Sequence, residues 1–182
     1  NHDAYYKDSI DTNSLISFND IEGIHVITEP VDISFAGNNA VMVPWDTHEK
    51  ITKTYDVMFG HFEFAGASFN NSMVCKHGIS GAELTKIAPL VFSGHFHLRK
   101  EYPYKNGSIV TVGWPLQLDW GDFGDNKGMY ILNSDLSYEF IENTVSPRYH
   151  KVKVSDIASR VYNFDNITGN YISLVVDAEI TF

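Results

Sequence analysis

The sequence predicts a strand-rich α/β fold, and three observations carry that prediction. Short runs of Val, Ile, Phe and Tyr recur between Gly, Asn, Asp and Pro; two of these runs lack polar alternation; and both lead straight into a Gly-His pair. Runs without alternation suit strands covered on both faces, as in sheets flanked by helices.

Taken in chain order, strands are expected near Ile24–Thr28, Val31–Ala36, Ala40–Val43, Val57–Gly60, Leu90–Ser93, Ser108–Val112, Gly128–Leu132 and Tyr138–Ile141. Weaker helical patterning covers Ser9–Phe18, Asp46–Thr54 and Gly81–Ile87. Val145-Ser146-Pro147-Arg148 reads as a linker, because Pro restricts the residue before it and ends regular structure. The expected division is therefore a first unit over 1–145 and the beginning of a second over 146–182.

The chain has 182 residues, 43% of them apolar and 20% charged, a composition that supports a folded core and excludes disorder through low hydrophobicity. Its net charge of -10 opposes nucleic-acid binding through a general basic surface. That objection is reduced where divalent ions in a carboxylate- and His-rich cleft supply positive charge. Cys75 is the single cysteine, so an internal disulfide is impossible and a structural Cys-ligated zinc is excluded. No apolar run reaches the length of a membrane helix and no leader pattern opens the chain, so the expectation is a cytoplasmic protein with no membrane association, in a bacterial or phage-infected cell.

Four of the eight histidines fall into short patterns: Asn1-His2-Asp3, Gly60-His61-Phe62-Glu63 and Gly94-His95-Phe96-His97. A strand fixes the Cα position, Gly lets the backbone turn, and the following imidazole is aimed beyond the sheet edge. Two such turns side by side can face one ion, and imidazole with amide or carboxylate oxygens suits Zn, Mn or Fe. His-x-His alone is a weak signal; three patterns in this order at strand ends are specific. Of the rest, His25 reads as a packing or edge residue, His48 as part of a solvated helix start, and His77 as a loop residue or a contact for a substrate phosphate. Trp114, Trp120 and Phe123 read as core packing or as an aromatic wall able to stack on a base. Glu63 reads as an acceptor for a metal-bound imidazole rather than as a ligand. Arg148 and His150 read as a surface cluster or a DNA-backbone contact.

These ordered patterns resemble the last three motifs of the calcineurin-like metallophosphoesterases, Gly-Asn-His-Asp/Glu, Gly-His and Gly-His-x-His. Val112-Gly113-Trp114-Pro115 followed by Trp120-Gly121-Asp122 is similar to the segment after the final motif in the branch of double-strand-break repair nucleases, SbcD-like and closest to phage recombination endonuclease subunits. The resemblance implies the C-terminal part of a four-layer αββα sandwich followed by the start of a small DNA-binding cap domain. It implies two divalent metal ions, with Mn the leading choice and Zn, Fe or Mg open. Asn1, His61 and His95 would hold one ion and His97 the other; His2, oriented by Asp3, would assist the leaving group or stabilise the transition state. His77, Trp114 and Arg148 are candidate substrate contacts.

The implied activity is hydrolysis of DNA phosphodiesters in recombination and repair, with DNA, an ATPase subunit of the Rad50/SbcC type and a second copy of the chain as partners. The family's two earlier motifs, Asp-x-His and Gly-Asp-x-x-Asp, do not occur, so the chain is expected to be the later part of a longer protein with one half-site impaired. A phosphatase or phosphodiesterase acting on a nucleotide, lipid or protein is the alternative, and a non-catalytic fragment binding one metal is a second.

Overall fold

A computed structural model of the chain describes residues 4–6, 9–70, 72–165 and 167–177. Two short strands, β1 (Ala4–Tyr6) and β2 (Ser9–Asn13), pair antiparallel. A 3-10 turn over Ser14–Phe18 follows, capped by the Asn13 side chain, which accepts the Leu15 N–H at 3.1 Å. The helix expected over Ser9–Phe18 is therefore absent, and the reason is local. Asp11, Thr12 and Asn13 favour extended and capping conformations over a helix interior.

The centre of the fold is a six-stranded mixed sheet. It contains β3 (Val31–Phe35), β4 (Asn38–Val43), β5 (Val57–Gly60), β6 (Leu90–Ser93), β7 (Lys100–Tyr104) and β8 (Gly107–Thr111), ordered β3-β4-β5-β6-β8-β7. The inner four strands run parallel and the edges β3 and β7 run antiparallel to them. Helix α1 (Gly81–Ile87) lies on the connection from β5 to β6. Ile24–Thr28 forms no strand: a β-branched run becomes one only where a neighbour accepts its hydrogen bonds. Asp46–Thr54 contains only a 3-10 turn at His48–Lys50, since Asp46 sits at φ 59 and Thr47, Thr52 and Thr54 are poor helix formers.

Register explains the core. Val41, Met58, Val91, Ile109 and Tyr102 pair in one row across five strands, all buried, and Leu84 and Ala88 of the α1 segment join the same cluster. Gly81 opens α1 because any Cβ there would lie 2.1 Å from the Tyr104 hydroxyl, so the helix packs close against β7. On the opposite sheet face the row Met42, Phe59, Phe92 and Val110 is less uniformly covered, with Met42 at 36% exposure, Phe59 half-buried and Phe92 meeting Tyr138 edge-on at 5.4 Å.

The chain divides into two compact units, the first running to Gly113 and including Leu132–Tyr138, the second comprising Trp114–Ile131 and the chain from Glu139. The Val145–Arg148 stretch lies within the second. Strands β9 (Gly128–Leu132) and β10 (Tyr138–Glu142) pair as a hairpin. In the second unit β11 (Tyr149–Lys153), α2 (Val154–Ala158) and β12 (Tyr171–Val175) form a small parallel β-α-β unit. It buries Val152 and stacks Tyr149 on Tyr171 at 4.7 Å. Among the described residues no helix is long and apolar enough to cross a membrane.

Candidate functional site

The four parallel strands end level. Val43 pairs with Gly60, Gly60 with Ser93, and Ser93 with Thr111, so the segments that follow leave the sheet from a single edge. In open α/β sheets the carboxyl edge is where ligands bind. Here it delivers Trp45 and Asp46 after β4, His61 and Glu63 after β5, and His95 and His97 after β6.

The two Gly-His turns are built alike. In each, the residue after the histidine is a phenylalanine driven into the core, Phe62 and Phe96 both at 1% exposure, which anchors the turn and leaves the flanking polar positions outside. Phe96 packs on Phe69 and Phe64, with ring centres 5.0 and 5.3 Å apart. Buried Ser93 stitches the turns together: its Oγ accepts the Phe62 N–H at 3.1 Å and donates to Gly94 O at 3.0 Å, while the Gly94 N–H donates to Gly60 O at 2.9 Å. Thr111 holds the segment after His97, donating to Leu98 O at 2.8 Å.

These constraints bring His61 and His95 to 5.4 Å between ring centres, with Trp45 closing over both at 5.6 and 5.1 Å. Glycine at position 94 is required by that proximity, since a Cβ would lie 2.7 Å from His61 Nδ1. His95 itself adopts φ 76, a left-handed conformation costly for any residue with a side chain. With Asp46 at φ 59, two strained residues sit at one strand edge. Strain of this kind persists only where surrounding packing imposes it, and it concentrates at functional sites. Glu63 Oε2 lies 3.4 Å from His95 Nε2, long for a hydrogen bond.

A cleft of about 420 Å³ opens beside this cluster, lined among others by Trp45, Asp46, His48, His61, Glu63 and Glu83. The His48 and His61 imidazoles and the carboxylates that line the cleft are donor types that suit a divalent cation of the Mn or Zn kind, but among the described residues the donor atoms that converge within 4.8 Å as a group of three are those of Glu63, Cys75 and His77, not those of His61 and His95. The separation of His61 and His95 is compatible with each placing a nitrogen about 2 Å from a shared ion. No family model and no curated protein matches the chain.

The structure thus brings the His61 and His95 rings together, with Glu63 lining the cleft and lying near His95. His97, two residues on, is exposed. Asn1, His2 and Asp3 lie outside the described residues. His77 is exposed and lies near Glu63 and Cys75. Trp114 and Arg148 belong to the second unit. There the Arg148 guanidinium pairs with Glu142 at 2.7 Å and donates to Asn143 O at 2.6 Å. Trp120 meets Tyr149 edge-on at 4.8 Å, but Trp120, Trp114 and Phe123 are all exposed, so the core-packing expectation for these three fails. Trp45, Asp46, His48, Glu49 and Glu83 are among the cleft residues that sequence reasoning missed. The Pro44-Trp45-Asp46 turn directly after an apolar run was the available signal, of the same kind as the Gly-His turns.

Proposed function

We propose that this chain carries part of a two-metal phosphodiesterase centre and that its substrate is DNA. The observation that carries the reading is the convergence of His61 and His95 at the carboxyl edge of a parallel sheet, with the Glu63 carboxylate 3.4 Å from His95. In this reading Asn1, His61 and His95 hold one ion, His97 contributes to a second, and His2 with Asp3 serves the leaving group. Bound divalent ions, Mn foremost, would activate water and clamp the phosphate, as two-metal sites do. The chain's own contribution is orientation. Ser93 and Gly94 fix the two turns, Trp45 packs against both imidazoles, and the Glu63 carboxylate lies 3.4 Å from His95 Nε2.

A four-layer αββα sandwich belongs to the same proposal. Its support is the sheet itself, with α1 against one face and the apolar row Met42, Phe59, Phe92 and Val110 on the other. DNA, an ATPase subunit of the repair-nuclease type and a second copy of the chain are the proposed partners, resting on the motif resemblance.

The test is hydrolysis by the full chain, with Mn, of single- and double-stranded DNA beside a small phosphomonoester. Cleavage of DNA that is lost in His61→Ala and His95→Ala supports the reading. Turnover of the monoester with none of DNA replaces it with a phosphatase. Metal binding at His61 and His95 without any turnover reduces it to a metal-binding chain.

A further inference from the structure

The segment between β5 and α1 gathers three donors of different chemistry: the Glu63 carboxylate, the Cys75 thiol and the His77 imidazole. Their donor atoms all lie within 4.8 Å of one another. A single cysteine is the reason a structural Cys-ligated zinc reads as excluded from composition; the fold nonetheless brings two further donors to it, from twelve residues earlier and two later.

The three positions are held by a backbone ladder that does not depend on an ion. Cys75 N–H donates to Ala67 O at 2.7 Å and Gly66 N–H to Cys75 O at 2.9 Å; Ile79 N–H donates to Glu63 O at 2.9 Å and Ala65 N–H to Ile79 O at 3.0 Å. Gly78, at φ 94, passes so close to Glu63 that a Cβ would lie 2.4 Å from its carbonyl oxygen. Ser68 N–H donates to the Tyr102 hydroxyl at 2.7 Å, tying the ladder to the core sheet. Cys75 is 2% exposed and its thiol donates to His77 O at 3.1 Å, while His77 is open to solvent. An ion can therefore enter from the His77 side and meet a sheltered sulfur.

We propose that Glu63, Cys75 and His77 bind a single zinc ion, with a fourth position left to water. Bond lengths of about 2.0 to 2.3 Å and tetrahedral angles require donors roughly 3 to 4 Å apart, so the set closes by about 1 Å on binding. Cys75 releases its proton to solvent and gives up its bond to His77 O; neutral His77 contributes a ring nitrogen and Glu63 one carboxylate oxygen. Thiolate and carboxylate together neutralise the ion. The sulfur selects zinc over Mn and Mg, which prefer oxygen and nitrogen donors. Glu63 is shared with the phosphodiesterase reading, whereas Cys75 and His77 are not, so variants at those two positions separate this site from that reading.

The experiment is titration of the full chain with Co(II), the spectroscopic stand-in for zinc, followed by displacement with Zn(II). One equivalent of cobalt is expected to give a thiolate-to-metal charge-transfer band that one equivalent of zinc bleaches. The band should survive in His61→Ala, vanish in Cys75→Ser, and need about tenfold or more cobalt in His77→Ala and Glu63→Gln. Because His77 is exposed, its variant reports on binding even where Cys75→Ser perturbs folding. Absence of the band in the parent chain, or an unchanged titration in His77→Ala, overturns the proposal.

Discussion

Ser93 Oγ accepts the Phe62 N–H at 3.1 Å, so a hydroxyl on one strand end fixes the turn leaving the next. Both groups are buried, and removing the hydroxyl leaves the Phe62 amide without that acceptor. Ser93→Ala is expected to cost about 1–3 kcal/mol of stability, the penalty for orphaning a buried donor. The same change should weaken Mn binding, because His61 directly precedes Phe62. Denaturant unfolding and Mn titration on one preparation check both parts; unchanged Mn affinity would mean the imidazoles are positioned by packing alone.

Gly94 supplies a second constraint. A methyl group there would lie 2.7 Å from His61 Nδ1, nearer than real Cβ contacts allow, and the imidazole is the part able to move. Gly94→Ala should therefore lower Mn affinity about tenfold or more, while the unfolding midpoint changes little. Equal loss of both would point to damage of the sheet rather than of the site.

The repeated His-Phe arrangement separates stability from binding. Phe62 and Phe96 are fully buried, so Phe62→Ala or Phe96→Ala should each cost about 3–5 kcal/mol. His61→Ala, at a half-buried cleft position, should leave stability within about 1 kcal/mol and remove Mn binding at the His61 and His95 site. Thermal unfolding with and without Mn distinguishes the cases, since only chains that bind the ion gain stability from it.

How much of this was legible in the sequence depended on burial. Val57–Gly60, Leu90–Ser93 and Gly81–Ile87 match expectation to the residue, because the strands are inner ones flanked by neighbours and their apolar character is undiluted. Lys100–Tyr104 escaped notice because it is an edge strand, where Lys100, Glu101 and Pro103 are tolerated. The proximity of His61 and His95 follows from two equal strand-end motifs in adjacent strands. The place of His48 in the cleft depends instead on the left-handed turn at Asp46, for which the Pro44-Trp45-Asp46 run is the local sign, and the approach of Cys75 and His77 to Glu63 depends on the ladder through Ala65, Ala67 and Ile79. Residues separated by long irregular segments meet through hydrogen bonds that composition and periodicity do not encode.

The second unit offers a test by pH. Lys127, 3% exposed, pairs with Asp122 at 2.6 Å, and the Leu118 N–H donates to the other Asp122 oxygen at 2.9 Å. Burial pushes the Asp122 carboxyl upward, but the hydrogen bonds from Lys127 and Leu118 outweigh it and hold the group below its ordinary value of 3.8. A carboxylate depressed on folding favours the folded state wherever it is ionised. Its contribution is complete above about pH 4 and disappears as pH falls through the lower folded value. The unfolding temperature of this unit should therefore drop on acidification below about pH 4, and Asp122→Asn should flatten that dependence while lowering stability at pH 7. Lys127→Ala should cost about 3 kcal/mol at neutral pH, because it strands a buried charge. Calorimetry across this acidic range decides it: an Asp122→Asn chain that keeps the parent's acid slope would assign that slope to other carboxylates.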